Sequence, residues 1–410
     1  MSTSHQNLSL VAPDFVPFSG LPNGTGRQLP KRAQPPRKPL GQILIDLKAV
    51  TPENLATALD LRDRQDVQLG DVLLAHGFVN EHDLMAALSL QWGARTINLA
   101  TAPPDPRLLD QLGPEFCLTH AILPWRISGN ATVVVTARPD QFSALRSAIR
   151  DRLAQHSGPI VMALASERDI HASLIAARQT SLIRQAERRV TAAESCRDMN
   201  GRYAAPIATV TLAVLGALAL LSPALAFLPL FFWATLTLLL CTGLKAAAFI
   251  AQLRAGPDEV PDQIVTRLPV VSIMVPLFQE DDIAPRLIER LGRLDYPREL
   301  LDILLVHEVE DEQTAAALAR HKLPSWMRVV AVPAGPIRTK PRALNYALNF
   351  CRGSIIGVYD AEDAPEPQQI HTVVRCFLNR GPKVACLQGV LDFYNARHNW
   401  LTRCFAIEYA

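Results

Sequence analysis

Ser354-Ile-Ile-Gly-Val-Tyr359-Asp360-Ala361-Glu362-Asp363 decides how the C-terminal third of this chain is read. Its apolar run, 354–358, reads as a buried strand and ends in three carboxylates within four residues. Carboxylates so close repel one another unless a cation sits among them. A divalent metal carrying a nucleotide diphosphate suits them, because hard cations take oxygen ligands and share them with phosphates. In an open α/β sheet, ligands bind just beyond the carboxyl ends of the strands. A solvated acidic turn leading into the next helix is the competing reading.

Working outward, apolar runs alternate with helical patterns from Leu268 onward. Val270–Pro276, Leu301–Val306, Val329–Val332, Ser354–Val358 and Val384–Leu387 read as strands. Ile283–Leu294, Gln313–Arg320, Arg342–Phe350 and Gln368–Leu378 read as helices. The alternation predicts a parallel, helix-covered sheet. Four polar clusters fall at strand ends: Pro276-Leu-Phe-Gln-Glu280-Asp281-Asp282, Glu308-Val-Glu310-Asp311, Lys340 within Arg338–Asn345, and the carboxylates above. Lys340 precedes Pro341, which suits the first turn of a helix and a diphosphate cradle. An ordinary basic surface is the alternative for Lys340 and Arg342.

The 410 residues carry a net charge of +2, so no charge excess points to nucleic acid. Seven cysteines are scattered without a Cys-x-x-Cys pair, which argues against zinc or a disulfide framework. The first 30 residues lack the apolar core of a signal peptide. Residues 1–38 are rich in Pro, Gly, Ser and Asn and read as a disordered tail.

An internal repeat follows, with Leu40-Gly41-Gln-Ile-Leu-Ile45 recurring as Leu69-Gly70-Asp-Val-Leu-Leu74. Each copy continues into a capped helix, near Thr51-Pro52-Glu53 and near Asn80-Glu81. Two similar helical hairpins packed as a pseudo-symmetric pair are expected, the Leu-Gly openings serving close packing or a ligand.

Residues 166–202 read as a charged helical connector. From Tyr203 to Leu244 there is no charged residue, about twice the ~20 residues that span a bilayer core. Two membrane helices are expected, about Ala204–Leu221 and Leu228–Ile250, with Pro223 and Pro229 at the turn. Arginines before the pair, and Lys245 and Arg254 after it, put both flanks in the cytoplasm.

Two resemblances follow from these residues. The repeat, with Leu73, Gly77, Leu84, Leu88 and Gln91, and the later Ala131–Asp140 stretch resemble the N-terminal domain of type II secretion and pilus ATPases. Some members of that family bind cyclic di-GMP, which would implicate Leu40, Gly41, Leu69, Gly70 and Gln91. The family's arginines are here Pro39 and Gln68. Their loss removes the guanidiniums that clamp phosphates, so weak or absent binding is expected, with a degenerate docking module as the alternative. No Gly-x-x-x-x-Gly-Lys-Ser/Thr occurs, so the ATPase itself is excluded.

Residues from about Pro269 to Ala410 resemble family-2 glycosyltransferases of the processive polysaccharide-synthase type. Val-Ser-Ile-Met-Val-Pro-Leu-Phe-Gln-Glu280, Thr-Lys340-Pro-Arg-Ala-Leu-Asn345, Tyr-Asp-Ala-Glu-Asp363 and Gln388-Gly389 carry the likeness. The resemblance implies that Pro276 and Glu280 line the nucleoside pocket and that Glu308 or Asp311 bonds the base or ribose. It sets Lys340 near the nucleotide and Gln388 along the donor or acceptor channel. Asp360 and Glu362 take the places of the family's Asp-x-Asp pair and, with Asp363 as a further candidate, would hold Mg²⁺ or Mn²⁺. The family's Thr-Glu-Asp base and Gln-x-x-Arg-Trp motif do not occur before Ala410, so the catalytic base is expected beyond it.

Together these readings describe a multidomain α/β membrane protein: a tail (1–38), a small, mostly helical α+β domain (39–175), a connector (176–203), a two-helix transmembrane hairpin (204–250), a linker (251–267) and the N-terminal part of a GT-A-like, Rossmann-type domain (268–410). The expected function is inverting, metal-dependent transfer from a UDP-sugar to a growing polysaccharide at the cytoplasmic face of a bacterial inner membrane. The expected partners are the donor, the polysaccharide and the bilayer, with cyclic di-GMP as a further candidate and without nucleic acid. A nucleotide-binding regulatory module without turnover is the alternative.

Overall fold

The structure, a computed structural model, describes residues 37–65, 67–153, 158–191, 194–195, 204–254, 267–280, 283–389 and 397–409. Nearly all of the expected tail, most of the 251–267 linker, Arg197, Arg202, Asp281 and Asp282 lie outside the described residues.

Four helices build the repeat: α1 (Leu40–Asp46), α2 (Pro52–Gln65), α3 (Leu69–Ala75) and α4 (Glu81–Trp92). Asn80 caps α4 by accepting from the Asp83 N–H at 2.8 Å. α1 packs along α4 and α2 along α3, so each copy is completed by the other. A Cβ at Gly41 would stand 2.8 Å from Leu55 Cδ1, and one at Gly70 would stand 3.4 Å from Leu84 Cδ2. Of the two roles open to the Leu-Gly openings, close packing is therefore realised in the first copy.

Helices α5 (Pro106–Leu112) and α6 (Pro114–His120) lead into a small sheet of β1 (Ile122–Ser128), β2 (Ala131–Thr136) and β3 (Ile160–Leu164), with α7 (Phe142–Arg152) before β3. β2 pairs antiparallel with β1 and parallel with β3. α8 (Glu167–Glu187) starts on a Ser166 cap and kinks at Arg178, where φ is −134°. The Arg178 guanidinium is drawn onto Asp110 at 2.7 Å and onto the Pro106 carbonyl. Beyond the kink, Leu182 and Ala186 are buried. The stretch expected as a connector is thus a packed helix as far as Glu187.

Helices α9 (Ala204–Leu221) and α10 (Pro223–Arg254) pack along each other with their outward apolar side chains exposed, Leu220, Phe231 and Trp233 among them. α10 begins five residues earlier than the expected Leu228 and carries Pro229 inside it. Phe227–Ala251 is the one described helix segment long and apolar enough to cross a membrane; Ala205–Leu221 is a shorter apolar helix.

The C-terminal sheet has strands β4 (Val271–Pro276), β5 (Leu301–Glu308), β6 (Met327–Val332) and β7 (Ile355–Val358). Their order is β6-β5-β4-β7, and every pairing is parallel. The connecting helices are α11 (Ile283–Gly292), α12 (Glu312–Ala319) and α13 (Lys340–Ala347), followed by α14 (Gln369–Arg380) and α15 (Trp400–Tyr409). This is the alternation the sequence predicts, with two differences. Val384–Leu387 forms no strand. β7 is therefore an edge strand among the described residues, and Ile356 and Val358 are exposed rather than buried.

One apolar core joins the two halves: Leu118, Leu182 and Ala186 share it with Met274, Val306, Tyr346 and Phe350. An ionic anchor stands near the amino ends of the C-terminal strands. Asp302, 1% exposed, accepts from Ser272 Oγ at 2.7 Å, Arg328 Nε at 2.9 Å and the Arg352 N–H at 3.1 Å. Burial alone would raise its pKa; the Arg328 and Arg352 guanidiniums and the hydrogen bonds outweigh it and hold it at about 2.

Candidate functional site

The register of the parallel strands brings the polar clusters to one edge. Pro276, half-buried, pairs with Val306, and Glu308 pairs with Val332. β7 ends opposite Met274, whose carbonyl accepts from the Tyr359 N–H at 3.1 Å. Asp360 therefore emerges beside the end of β4, where a sheet of this kind binds ligands.

The acidic loop is held from several sides. Asp363 Oδ2 accepts from the Asp360 N–H at 2.8 Å, so one oxygen of this candidate ligand is already engaged. The Glu362 carbonyl accepts from Arg290 Nη1 at 2.9 Å, while the Glu362 side chain is exposed. Ala361, between the two leading carboxylates, is buried. Lys340, first residue of α13, is bonded to Asp360 Oδ1. α13 opens on Lys340-Pro341, as expected for a proline in a first turn.

The β4 end turns sharply. Gln279 sits at a φ of 56°, in the left-handed region that side chains disfavour. Its N–H donates to Asp311 Oδ2 at 2.7 Å. Asp311, 7% exposed, also caps α12, accepting from the Thr314 N–H at 3.1 Å and Thr314 Oγ1 at 2.7 Å. Burial opposes its ionisation, but these hydrogen bonds prevail and lower its pKa. The Glu280 N–H donates to Thr314 Oγ1 at 3.0 Å, and Glu280 is half-buried at the rim. Asp311 therefore has its carboxylate committed to the protein.

Glu308, the other base or ribose candidate, is held by both oxygens, each 3.1 Å from Arg342 Nη1. Its pKa is raised by burial, against the opposing Arg342 charge. Gln388 is exposed in the segment after α14. Sequence reasoning missed Arg342 and Arg290 as supports of this edge. It also missed Phe278, which is 66% exposed beside the Gln279 turn; a large aromatic in a strand-end turn was the available signal.

The donors suit a hard cation. Among the described residues no group of three or more His, Cys, Asp or Glu is arranged to hold a metal. Mg²⁺ and Mn²⁺ sites of the phosphate-carrying kind need only one or two carboxylates, the phosphates and water supplying the rest. Asp360, whose carboxylate has drawn in the Lys340 ammonium, and the exposed Glu362 fit that requirement.

At the N-terminal end, Leu40, Gly41, Leu69, Gly70 and Gln91 line one cavity of about 2070 Å³. Residues of the C-terminal half line it too, Arg298, Arg328 and Arg352 among them.

A parallel α/β sheet with charged strand ends on one edge defines an open α/β class of domain, whose ligands bind beyond the carboxyl ends of the strands. Residues 269–410 match the model of the glycosyltransferase like family 2, and residues 92–182 match that of the MshEN domain. The C-terminal part is thus a family-2 glycosyltransferase domain, preceded by an MshEN domain. The beta-monoglucosyldiacylglycerol synthase of Synechocystis sp. is 28% identical over 185 residues, covering 43% of this chain and 38% of that protein. Between 34% and 38% of the length of the first two curated relatives is spanned by this chain. The solved structure of MshE with cdg is 24% identical and covers 34% of this chain and 97% of that one, with a TM-score of 0.31. The mannosyltransferase PcManGT from Pyrobaculum calidifontis, in complex with GDP-Man and Mn²⁺, is also 24% identical. It covers 44% of this chain and 49% of that one, with a TM-score of 0.30.

Proposed function

We propose that this chain is the donor-binding part of a membrane-bound glycosyltransferase that takes a sugar from a UDP-sugar. The observation that carries the reading is the Lys340–Asp360 pair at the carboxyl edge of a parallel sheet, a cation and an anion meeting where a diphosphate would lie. Asp360 and Glu362 would hold Mg²⁺ or Mn²⁺, with Asp363 shaping the loop. A bound divalent ion supplies charge neutralisation for the leaving diphosphate. Pro276, Phe278, Glu280 and Glu308 would line the nucleoside side, Lys340 the diphosphate side and Gln388 the channel.

In the proposed reaction an acceptor hydroxyl attacks the anomeric carbon as the bond to the diphosphate breaks, with inversion. A carboxylate base takes the hydroxyl proton. A growing polysaccharide is the acceptor that the family resemblance implies. The domain boundaries are those read from the sequence, with the connector shortened by the packed length of α8.

The two-helix hairpin is part of the proposal. α9, at 18 residues, spans about 27 Å, close to the ~30 Å hydrocarbon core, and its partner segment is longer. The flanking basic residues favour both soluble parts lying on the cytoplasmic side of a bacterial inner membrane.

The cavity under the repeat favours a second reading, a regulatory ligand such as cyclic di-GMP held between the two halves. Pro39 and Gln68 in place of the clamp arginines favour weak binding there. Calorimetry on the purified chain tests the first reading: UDP should bind with Mn²⁺ present and at least tenfold more weakly with EDTA or in Asp360→Asn. Equal affinity in all three would sink it.

A further inference from the structure

Arg342 links two carboxylates that lie far apart in the sequence. Its side chain is 3% exposed. Nη1 reaches both Glu308 oxygens at 3.1 Å, Nη2 donates to the Pro333 carbonyl at 2.6 Å, and Nε reaches Glu187 Oε1 at 3.3 Å. The guanidinium and Glu187 Oε1 lie directly against Gly335, in space that a Cβ at that position would take.

Glu187 is the last residue of α8, the kinked helix that runs out of the MshEN domain. That end is sewn to α13: Asn345 Nδ2 donates to the Ala186 carbonyl at 3.1 Å, and Arg189 Nη1 donates to the Asn345 carbonyl and Asn349 Oδ1, both at 3.1 Å. Both carboxylates facing Arg342 are largely buried, with side-chain exposures of 13% for Glu187 and 18% for Glu308.

We propose that Glu187 is a positioning residue for the donor site: by sharing Arg342, it sets how Glu308 is presented to the nucleoside. The inference rests on the donor-site reading above. A planar guanidinium with a fixed fork orients each carboxylate it bonds. With Glu187 neutralised, a buried guanidinium retains a single carboxylate partner and binds Glu308 more tightly, which withdraws Glu308 from a ligand. Lys340, two residues before Arg342 on α13, and Asp360 in the loop after β7 keep their own pairing on the diphosphate side.

The experiment compares the purified full chain with Glu187→Gln and Arg342→Lys, titrating UDP and, separately, inorganic pyrophosphate, both with Mn²⁺. Arg342→Lys keeps the charge and removes the fork. Both variants should lose UDP affinity on the order of fivefold or more, the scale of coupling between linked sites. Pyrophosphate affinity and the thermal midpoint should stay as in the unmodified chain for at least one of them. Unchanged UDP affinity in both variants overturns the inference while leaving the donor reading intact. Equal losses for UDP and pyrophosphate reduce the seam to a structural one and also overturn it. Failure of the unmodified chain to bind UDP removes both readings together.

Discussion

Lys340 at the start of α13 and Asp360 beyond β7 are joined by an ion pair that closes the carboxyl edge of the sheet. Both side chains are about half exposed, at 49% and 46%, so the pair contributes no more than about 1 kcal/mol. A lysine in that position competes with a metal for the same oxygen. Lys340→Ala should therefore raise the affinity for Mn²⁺ alone, by up to about fivefold at this pair energy. The same change should lower the affinity for UDP with Mn²⁺, because the diphosphate loses a cation. Electron paramagnetic resonance titration of Mn²⁺, with and without UDP, reads both effects; movement in the same direction would refute the assignment.

Asp302 is expected to be the costliest single carboxylate to remove. Asp302→Asn takes the buried carboxylate from Arg328 and Arg352, whose side chains are 25% and 33% exposed, and losing charge-assisted hydrogen bonds of this kind costs about 1.5–3 kcal/mol. Its folded pKa is depressed, so its stabilisation is complete above the unfolded carboxyl value of 3.8 and is lost as pH falls through about 2. Urea unfolding at neutral pH should show the loss in the variant. A change under 1 kcal/mol would mean that the anchor is not formed.

Much of this organisation was legible in the sequence. Parallel strands are continuous apolar runs, so β4, β5 and β6 declared themselves, and Asn80 and Lys340-Pro341 marked helix starts by local chemistry. The partners of Arg342 were not legible. Glu187 lies 155 residues before it, and an arginine in a helix reads as ordinary basic surface until the fold buries it. Asp311 is a related case: an acid at a strand end looks like a ligand group, but the αL turn at Gln279 and the start of α12 both draw on it. The edge position of β7 depended on whether Val384–Leu387 would pair with it, and apolar composition alone does not decide pairing.

His171 gives the fold a pH dependence of its own. It is 8% exposed, stands edge-on to Phe350 with ring centroids 5.6 Å apart, and its Nε2 is buried without a hydrogen-bond partner. Burial, only partly offset by Glu167, lowers its pKa to about 4 from 6.5. A depressed folded pKa means that full stability holds above the unfolded value and drains away as pH falls from 6.5 toward 4. The shift corresponds to about 3 kcal/mol across that window. Chemical denaturation at pH 7 and pH 4.5 should show a steeper decline for the unmodified chain than for His171→Gln; parallel declines would remove His171 as the cause.

The two repeat glycines should respond differently to the same substitution. In Gly41→Ala the new methyl meets Leu55 Cδ1 at 2.8 Å, closer than atoms pack without movement, so the Leu55 side chain, partly buried against the helical core, must shift. Overpacking of that kind costs about 1 kcal/mol, the low end of its range, because the atoms displaced are the tip of a flexible side chain. In Gly70→Ala the methyl meets Leu84 at 3.4 Å, an ordinary contact, and the helix former gains on glycine in α3. That change should be neutral or stabilising by up to about 1 kcal/mol. Thermal unfolding of the two variants beside the unmodified chain separates them. Equal destabilisation would point instead to a role for both glycines that the packing of Leu55 and Leu84 does not explain.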